Sequence, residues 1–146
     1  MKIKLLLHKQ ITEPEIHICF SEYSEEIKKI KETIEQAVNV TIMGYIEDKV
    51  EVLAVDSIVR IYTQGKNVFA ATIEKEYRLH QRLYELEEML YHNHFIRISN
   101  SEIVNVKKII RLDTSMAGTI RILLKGNQES YVSRRNVSRI KRALGI

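Results

Sequence analysis

Five basic side chains, Arg134, Arg135, Arg139, Lys141 and Arg142, fall within the final sixteen residues, YVSRRNVSRIKRALGI, without one acid among them. That local charge exceeds the net +4 of the whole chain. The chemistry of such a cluster is attraction to a polyanion, because every phosphate neutralised by a pinned cation releases counterions. At 100° per residue, Val137, Ile140 and Leu144 share one helical face, while Arg135, Ser138, Arg139 and Arg142 gather on the other. Ser133 is placed to cap a helix beginning at Arg134, and Gly145 stands where a left-handed C-terminal cap is expected. One face of this helix packs and the other presents charge. The plainer alternative is that these arginines answer the helix dipole and solvate the surface.

Other residue types capable of chemistry are sparse. His17 and Cys19, like His92 and His94, are two apart, so on a strand each pair shares one face, as metal ligation requires. Neither spacing matches a common zinc motif. Asp56 and Asp113 could bind magnesium beside other acids, but each reads better as a turn residue. Glycine-rich phosphate loops are absent, and no Ser-His-Asp arrangement can be read from spacing. No enzymatic activity, cofactor, metal or small-molecule substrate is expected.

The elements that position these residues must come from 146 residues, enough for one ordinary core with a small attachment but not for two full-sized domains. An apolar fraction of 45% favours a folded protein, and 29% charge of both signs favours a soluble one. With no run of 18 apolar residues and no cleavable leader at MKIKLLLHKQ, the expected location is the cytoplasm. The single Cys19 excludes an intramolecular disulfide framework and fits a reducing compartment.

Residues 2–8 and 15–20 read as short strands around a turn at Thr12, Glu13 and Pro14. Ser24 then caps a helix over about 24–38, with Ile27, Ile30 and Ile34 at helical spacing. Residues 1–42 thus form a β-β-α segment too small for much core of its own, suited to packing or dimerisation. Residues 43–146 form the larger part. VTIMGYIE, KVEVLAV, SIVRIYT and NVFAATI read as consecutive antiparallel strands, interrupted by Gly44, Asp48, Asp56 and a Gln64-Gly65-Lys66 turn. Leu79, Leu83, Leu86 and Leu90 predict a helix over 78–90 whose stripe is core. FIRIS, VKKIIRL, TIRILLK and ESYVS follow as strands, with turns near Asn100, at 113–118 and at Gly126-Asn127. In TIRILLK, Ile120, Ile122 and Leu124 face one side and Arg121, Leu123 and Lys125 the other. The fold class is α+β, mainly β.

The run FIRISNSEIVNVKKI (95–109), a hairpin ending in glycine, and YVSRRNVSRIKRALG (131–145) resemble the C-terminal half of the LytTR DNA-binding domain. The stretch from about Val50 through the leucine helix is similar to its first half, so the resemblance covers roughly two thirds of the chain. Its motifs are an Arg-Ile-small-Asn-Ser-x-x-Val-Asn string and a Ser-x-Arg-Asn-Val ending, in the expected order. The resemblance implies an elongated, mainly antiparallel β fold that reads double-stranded DNA in successive major grooves with loops. It further implies a transcription regulator acting on paired repeat sites.

Carried onto this chain, the resemblance makes Arg135 the base-reading arginine, whose planar fork matches guanine O6 and N7. It aligns the Asn of the earlier loop with Asn100, beside Ser101, and brings in Lys66 and Asn67 as a third contact loop. In that loop a polar residue used by some members aligns with Val68, so Lys66 is expected as a phosphate contact. Ser133, Arg134 and Asn136 flank Arg135, and Arg139 lies on the basic face. Against these assignments, Asn100 and Ser101 could simply serve a turn, as Asn105 could for SEIVNV. Lys107, Lys108 and Arg111 read as solvent-facing. Tyr62, Tyr77, Tyr84, Tyr91 and Tyr131 read as core or rim, since no clustered aromatic motif suggests single-strand stacking.

Many regulators with this type of domain carry it after a receiver domain, for which forty residues are too few. A stand-alone regulator is therefore expected, a homodimer joined through residues 1–42 and bound to repeated half-sites. By resemblance to other stand-alone members, a co-encoded membrane protein is a candidate regulator. Two rival classes remain: an RNA-binding or nonspecific basic nucleic-acid module, and a protein-interaction adaptor that leaves the arginines solvated.

Overall fold

The computed structural model describes residues 4, 6, 9, 15–38 and 40–146. By compactness the chain divides into Met1–Glu35 and Gln36–Ile146. Helix α1 (Glu25–Val38), most of which lies in the first unit, begins as its sequence directs: Ser24 Oγ accepts a hydrogen bond from the Ile27 amide at 3.3 Å, and two acids occupy the first turn. The strand expected over 15–20 does not form, and these residues are irregular. A strand is stable only when paired, and the intended partner over 2–8, apart from Lys4 and Leu6, lies outside the described residues, as does the turn at 12–14.

The second unit holds ten strands: β1 (Ile42–Ile46), β2 (Lys49–Leu53), β3 (Arg60–Gln64), β4 (Asn67–Ala71), β5 (Glu76–Leu79), β6 (Phe95–Ser99), β7 (Glu102–Asn105), β8 (Ile109–Asp113), β9 (Ile120–Leu124) and β10 (Gln128–Val132). Helix α2 (Leu83–Met89) follows β5, and helix α3 (Val137–Leu144) follows β10. Seven strands form one antiparallel sheet in the order β2-β1-β5-β4-β3-β7-β6, and three form a second in the order β10-β9-β8. Strands β2 and β3 are consecutive in sequence but not neighbours. The two-residue turn at Gly65-Lys66, entered at φ +60°, instead sets the β3–β4 register with Gln64 opposite Asn67.

Period-two alternation gives the larger sheet two buried faces. Ile61, Val68, Ala70, Tyr77, Leu79 and Ile103 pack with Leu83, Leu86 and Leu90 around α2. Ile96, Ile98 and Val104 point the other way, into a second core with Ile120, Ile122, Leu124, Val132 and Ile140. Phe95 packs against the first core, so strands β6 and β7 contribute to both. Ile120, Ile122 and Leu124 are buried as their alternation predicts, each worth about 1.5–3 kcal/mol relative to exposure.

The leucine stripe is core, but it is not one helix. Leu79 ends β5, opposite Val68, and α2 starts only at Leu83, where Glu85 accepts the Arg82 amide at 2.7 Å. All four leucines reach one core from a strand, a helix and the turn that caps it, so their spacing imitates a longer helix. The expected strand over 106–112 likewise begins late. Asn105, almost wholly buried, accepts the Lys107 amide and donates to the Ile58 carbonyl, both at 3.0 Å, which winds Val106–Lys108 into a 3-10 turn. Asn105 is thus a structural cap.

Candidate nucleic-acid interface

Three loops converge at one end of the larger sheet. The Thr63 amide donates to the Ser101 carbonyl at 2.8 Å, which sets the β3–β4 hairpin beside the β6–β7 loop. The Ser133 amide donates to the Ile98 carbonyl at 2.9 Å, which ties the approach to α3 against the end of β6. These bonds satisfy backbone groups that have no ladder partner, and they fix the loops as one unit.

Between the last two loops lies a groove of about 470 Å³ lined by Ser99, Asn100, Ser101, Ser133, Arg134 and Arg135. Asn100, Ser101, Arg134 and Arg135 are exposed. Both arginines belong to a 3-10 turn, Arg134–Asn136, that precedes α3. The α-helix therefore does not begin at Arg134, as the capping pattern predicts, but at Val137. Ser133 Oγ accepts no backbone amide; it accepts Asn136 Nδ2 at 2.8 Å, and this locks the turn from within. Gly145 closes α3 at φ +70°, while Ile140 is buried on the packing face.

The remaining candidates take different positions. Lys66 and Asn67 are exposed at the hairpin tip and do not line the groove. Val68 is buried in the α2 core, so no side chain at that position reaches outward. Arg139 also lies outside the groove: its Nη1 is 3.1 Å from Glu87 Oε1. The other Glu87 oxygen meets Arg97 Nη1 at 2.9 Å. Arg97 in turn donates from Nε to the Ser99 carbonyl and from Nη2 to the Asn100 carbonyl, both at 2.6 Å. Sequence reading missed Arg97 and Glu87. The signal available was Arg97 within the Arg-Ile-Ser-Asn-Ser string, but its partner on α2 is ten residues away and on another element.

Gly118, at φ +76°, lies under Arg134; a Cβ there would sit 3.0 Å from Arg134 Nε. Asp113 accepts both the amide and the hydroxyl of Ser115, at 3.0 and 2.6 Å, bonds that hold its carboxyl below the usual range. It is the last residue of β8, and its side chain holds the first residues of the loop that follows. His17 contacts Glu15 at 2.8 Å, and no cluster of three or more potential metal ligands occurs among the described residues. No helix among them is long and apolar enough to cross a membrane. Of the tyrosines singled out, Tyr77 is buried and Tyr62 half-buried, whereas Tyr84, Tyr91 and Tyr131 are exposed.

Comparison with known proteins agrees with this architecture. Two uncharacterized HTH-type transcriptional regulators of Staphylococcus aureus, from strains MSSA476 and NCTC 8325, are each 35% identical over 147 residues, covering 100% of this chain and 99% of the relative. Helix-turn-helix describes the present fold poorly, since α2 and α3 are separated by five strands. A solved LytTr DNA-binding domain, from a Bacillus cereus protein described as a methyl-accepting/DNA response regulator, has the same fold at a TM-score of 0.70 and 20% identity, covering 74% of this chain and 99% of that one. Residues 48–145 match the LytTr DNA-binding domain family. Sequence motifs, mainly antiparallel α+β fold and full-length similarity thus converge, and the chain belongs to the LytTr DNA-binding domain family.

Proposed function

We propose that the chain is a sequence-specific, double-stranded DNA-binding transcription regulator that reads major-groove base edges with loop side chains. The observation that carries this reading is the groove in which Asn100 and Ser101 face Arg134 and Arg135. Residues 33 or more apart in sequence are brought together there, exposed, on backbone fixed by packed strands. Arg135 supplies the fork that fits guanine O6 and N7, and Asn100 the paired donor and acceptor that fit adenine. Arg134 and Lys66 act on phosphates, Ser101 and Asn67 contribute short polar contacts, and Ser133 with Asn136 hold the turn. Arg139, half-exposed and shared with Glu87, adds long-range attraction. The regulatory role follows the relatives, which are described as transcriptional regulators.

The test is selection of bound duplexes from a random DNA pool at near-physiological salt. A recovered motif supports the reading, and a motif repeated at about one helical turn gives the half-site spacing. Binding that merely fades with salt, or a preference for RNA over duplex DNA, would sink it.

Residues 1–42 serve in this proposal as a packing or dimerisation segment. The isoleucine stripe of α1, Ile27, Ile30 and Ile34, is the apolar surface available for it. A homodimer presents two reading modules to adjacent half-sites. Sedimentation showing only monomer at micromolar concentration, with and without the selected DNA, would rule out the dimer.

A further inference from the structure

Arg97 lies at a bulge. The β6–β7 register shifts between Arg97 and Ser99, and the strand turns there into the loop that carries Asn100. Bulges redirect side chains, and the carbonyls of Ser99 and Asn100 need donors where the ladder gives out. Arg97 supplies both: Nε to Ser99 and Nη2 to Asn100, each at 2.6 Å. Its third donor, Nη1, is held by Glu87 Oε2 at 2.9 Å, and the opposite Glu87 oxygen is held by Arg139 at 3.1 Å. A single carboxylate on α2 therefore anchors an arginine from β6 and another from α3, and the inner arginine grips the two peptide groups that flank Asn100. Glu87 and Arg97 are both largely shielded, with side-chain exposures of 30% and 19%.

We infer that Arg97, fixed by Glu87, is a positioning residue for base discrimination by the Asn100 loop. It does not touch DNA. It sets the direction of the Asn100 side chain by holding two consecutive carbonyls and the Glu87 carboxylate from three separate nitrogens in one plane, a spread that a single ammonium nitrogen lacks. The inference rests on the DNA-reading proposal above and names what gives that reading its precision. It also gives Arg139 a different task from its neighbours on the basic face: it closes the brace on Glu87 from α3.

Charge makes the test discriminating. Glu87→Gln removes a negative charge beside a basic surface, so electrostatics alone would tighten binding to every duplex. The brace requires the opposite for specific DNA. In the full-length protein, Glu87→Gln is expected to lower the ratio of specific to nonspecific affinity by at least about tenfold, the scale of one lost base contact, while nonspecific affinity holds or rises. Arg97→Lys keeps the charge but cannot hold both carbonyls and Glu87 together, so it should show the same loss with an unchanged salt slope. The double variant should lose no more than Glu87→Gln alone, because both changes open one brace. Relaxed preference should be confined to the base pairs that Asn100→Ala relaxes, a readout that general destabilisation would not produce.

Amide hydrogen exchange over 99–101, faster in both variants at unchanged melting temperature, is the accompanying measurement. If the wild-type protein selects a motif and Glu87→Gln or Arg97→Lys keeps the full specificity ratio, the brace is refuted and the DNA reading stands. If the wild-type protein selects no motif, both are refuted.

Discussion

Arg60 and Glu102 meet at 3.0 Å where the two sheets join. Ser130 donates its hydroxyl to the same Glu102 oxygen at 2.5 Å, and Arg60 Nε donates to Gln128 Oε1 at 3.1 Å. Strands β3, β7 and β10 are thereby bound at one point. Glu102 follows Ser101, and β10 leads to Ser133, so this cluster helps set the distance between the two walls of the groove.

Breaking the pair from one side strands the other in a shielded place, with side-chain exposures of 22% for Arg60 and 13% for Glu102. Glu102→Ala should therefore cost about 1–3 kcal/mol, after allowance for partial solvent screening. Replacing both with apolar residues, Arg60→Met with Glu102→Leu, should cost less than either single change to alanine. Urea unfolding midpoints at constant slope will decide the order.

Arg135 and Arg134 are adjacent, but their expected effects differ. Arg135→Ala should relax base preference at one position by about 1–3 kcal/mol and leave nonspecific binding nearly intact. Arg134→Ala should weaken binding to all sequences alike and reduce the salt slope by about 1. Titrations of selected and scrambled duplexes at several salt concentrations separate the two.

Gly118→Ala tests how Arg134 is held. Alanine at φ +76° costs about 1–2 kcal/mol, and its Cβ would crowd Arg134 Nε at 3.0 Å. The variant should lose stability and bind all duplexes more weakly, with its sequence preference kept. A change of preferred motif in the selection experiment would contradict this.

Alkaline stability should fall in a defined window. Burial, followed by the 2.6 Å bond to Glu76, pushes the Tyr62 hydroxyl from 10.0 up to about 12. The folded state holds this proton more tightly than the unfolded chain, so the contribution is complete below pH 10 and is lost as pH rises toward about 12. Tyr77 is raised in the same direction, chiefly by its bond to Glu51. Tyr62→Phe should therefore flatten only part of the decline, measured by denaturant melts alongside tyrosinate absorbance.

Much of the frame was legible because burial imposes a period. Ile120, Ile122 and Leu124 alternate in sequence and are buried in the structure, and Ile140 faces the core from α3 as its helical spacing requires. Turn chemistry was equally local: Gly65, Gly126 and Gly145 all take the positive φ that their positions demand. Misreadings arose where local patterns were ambiguous. The leucine spacing of a helix was met partly by a strand, and a strand-like run at 106–112 was interrupted by the buried cap of Asn105.

By itself the sequence determined the family, the mainly β class and the identity of the basic ending, since these rest on residue type, order and period. It also picked out Asn100, Ser101, Ser133, Arg134 and Arg135, through two separate motifs. Only the tertiary structure decided that the two motifs form walls of one groove, that Lys66 stands apart at a hairpin tip, and that Arg139 is drawn to Glu87. The reason is physical: strand pairing, the backbone bond from Ser133 to Ile98 and the side-chain bond from Arg97 to Asn100 depend on which distant segments meet, and no local pattern along the chain encodes that meeting.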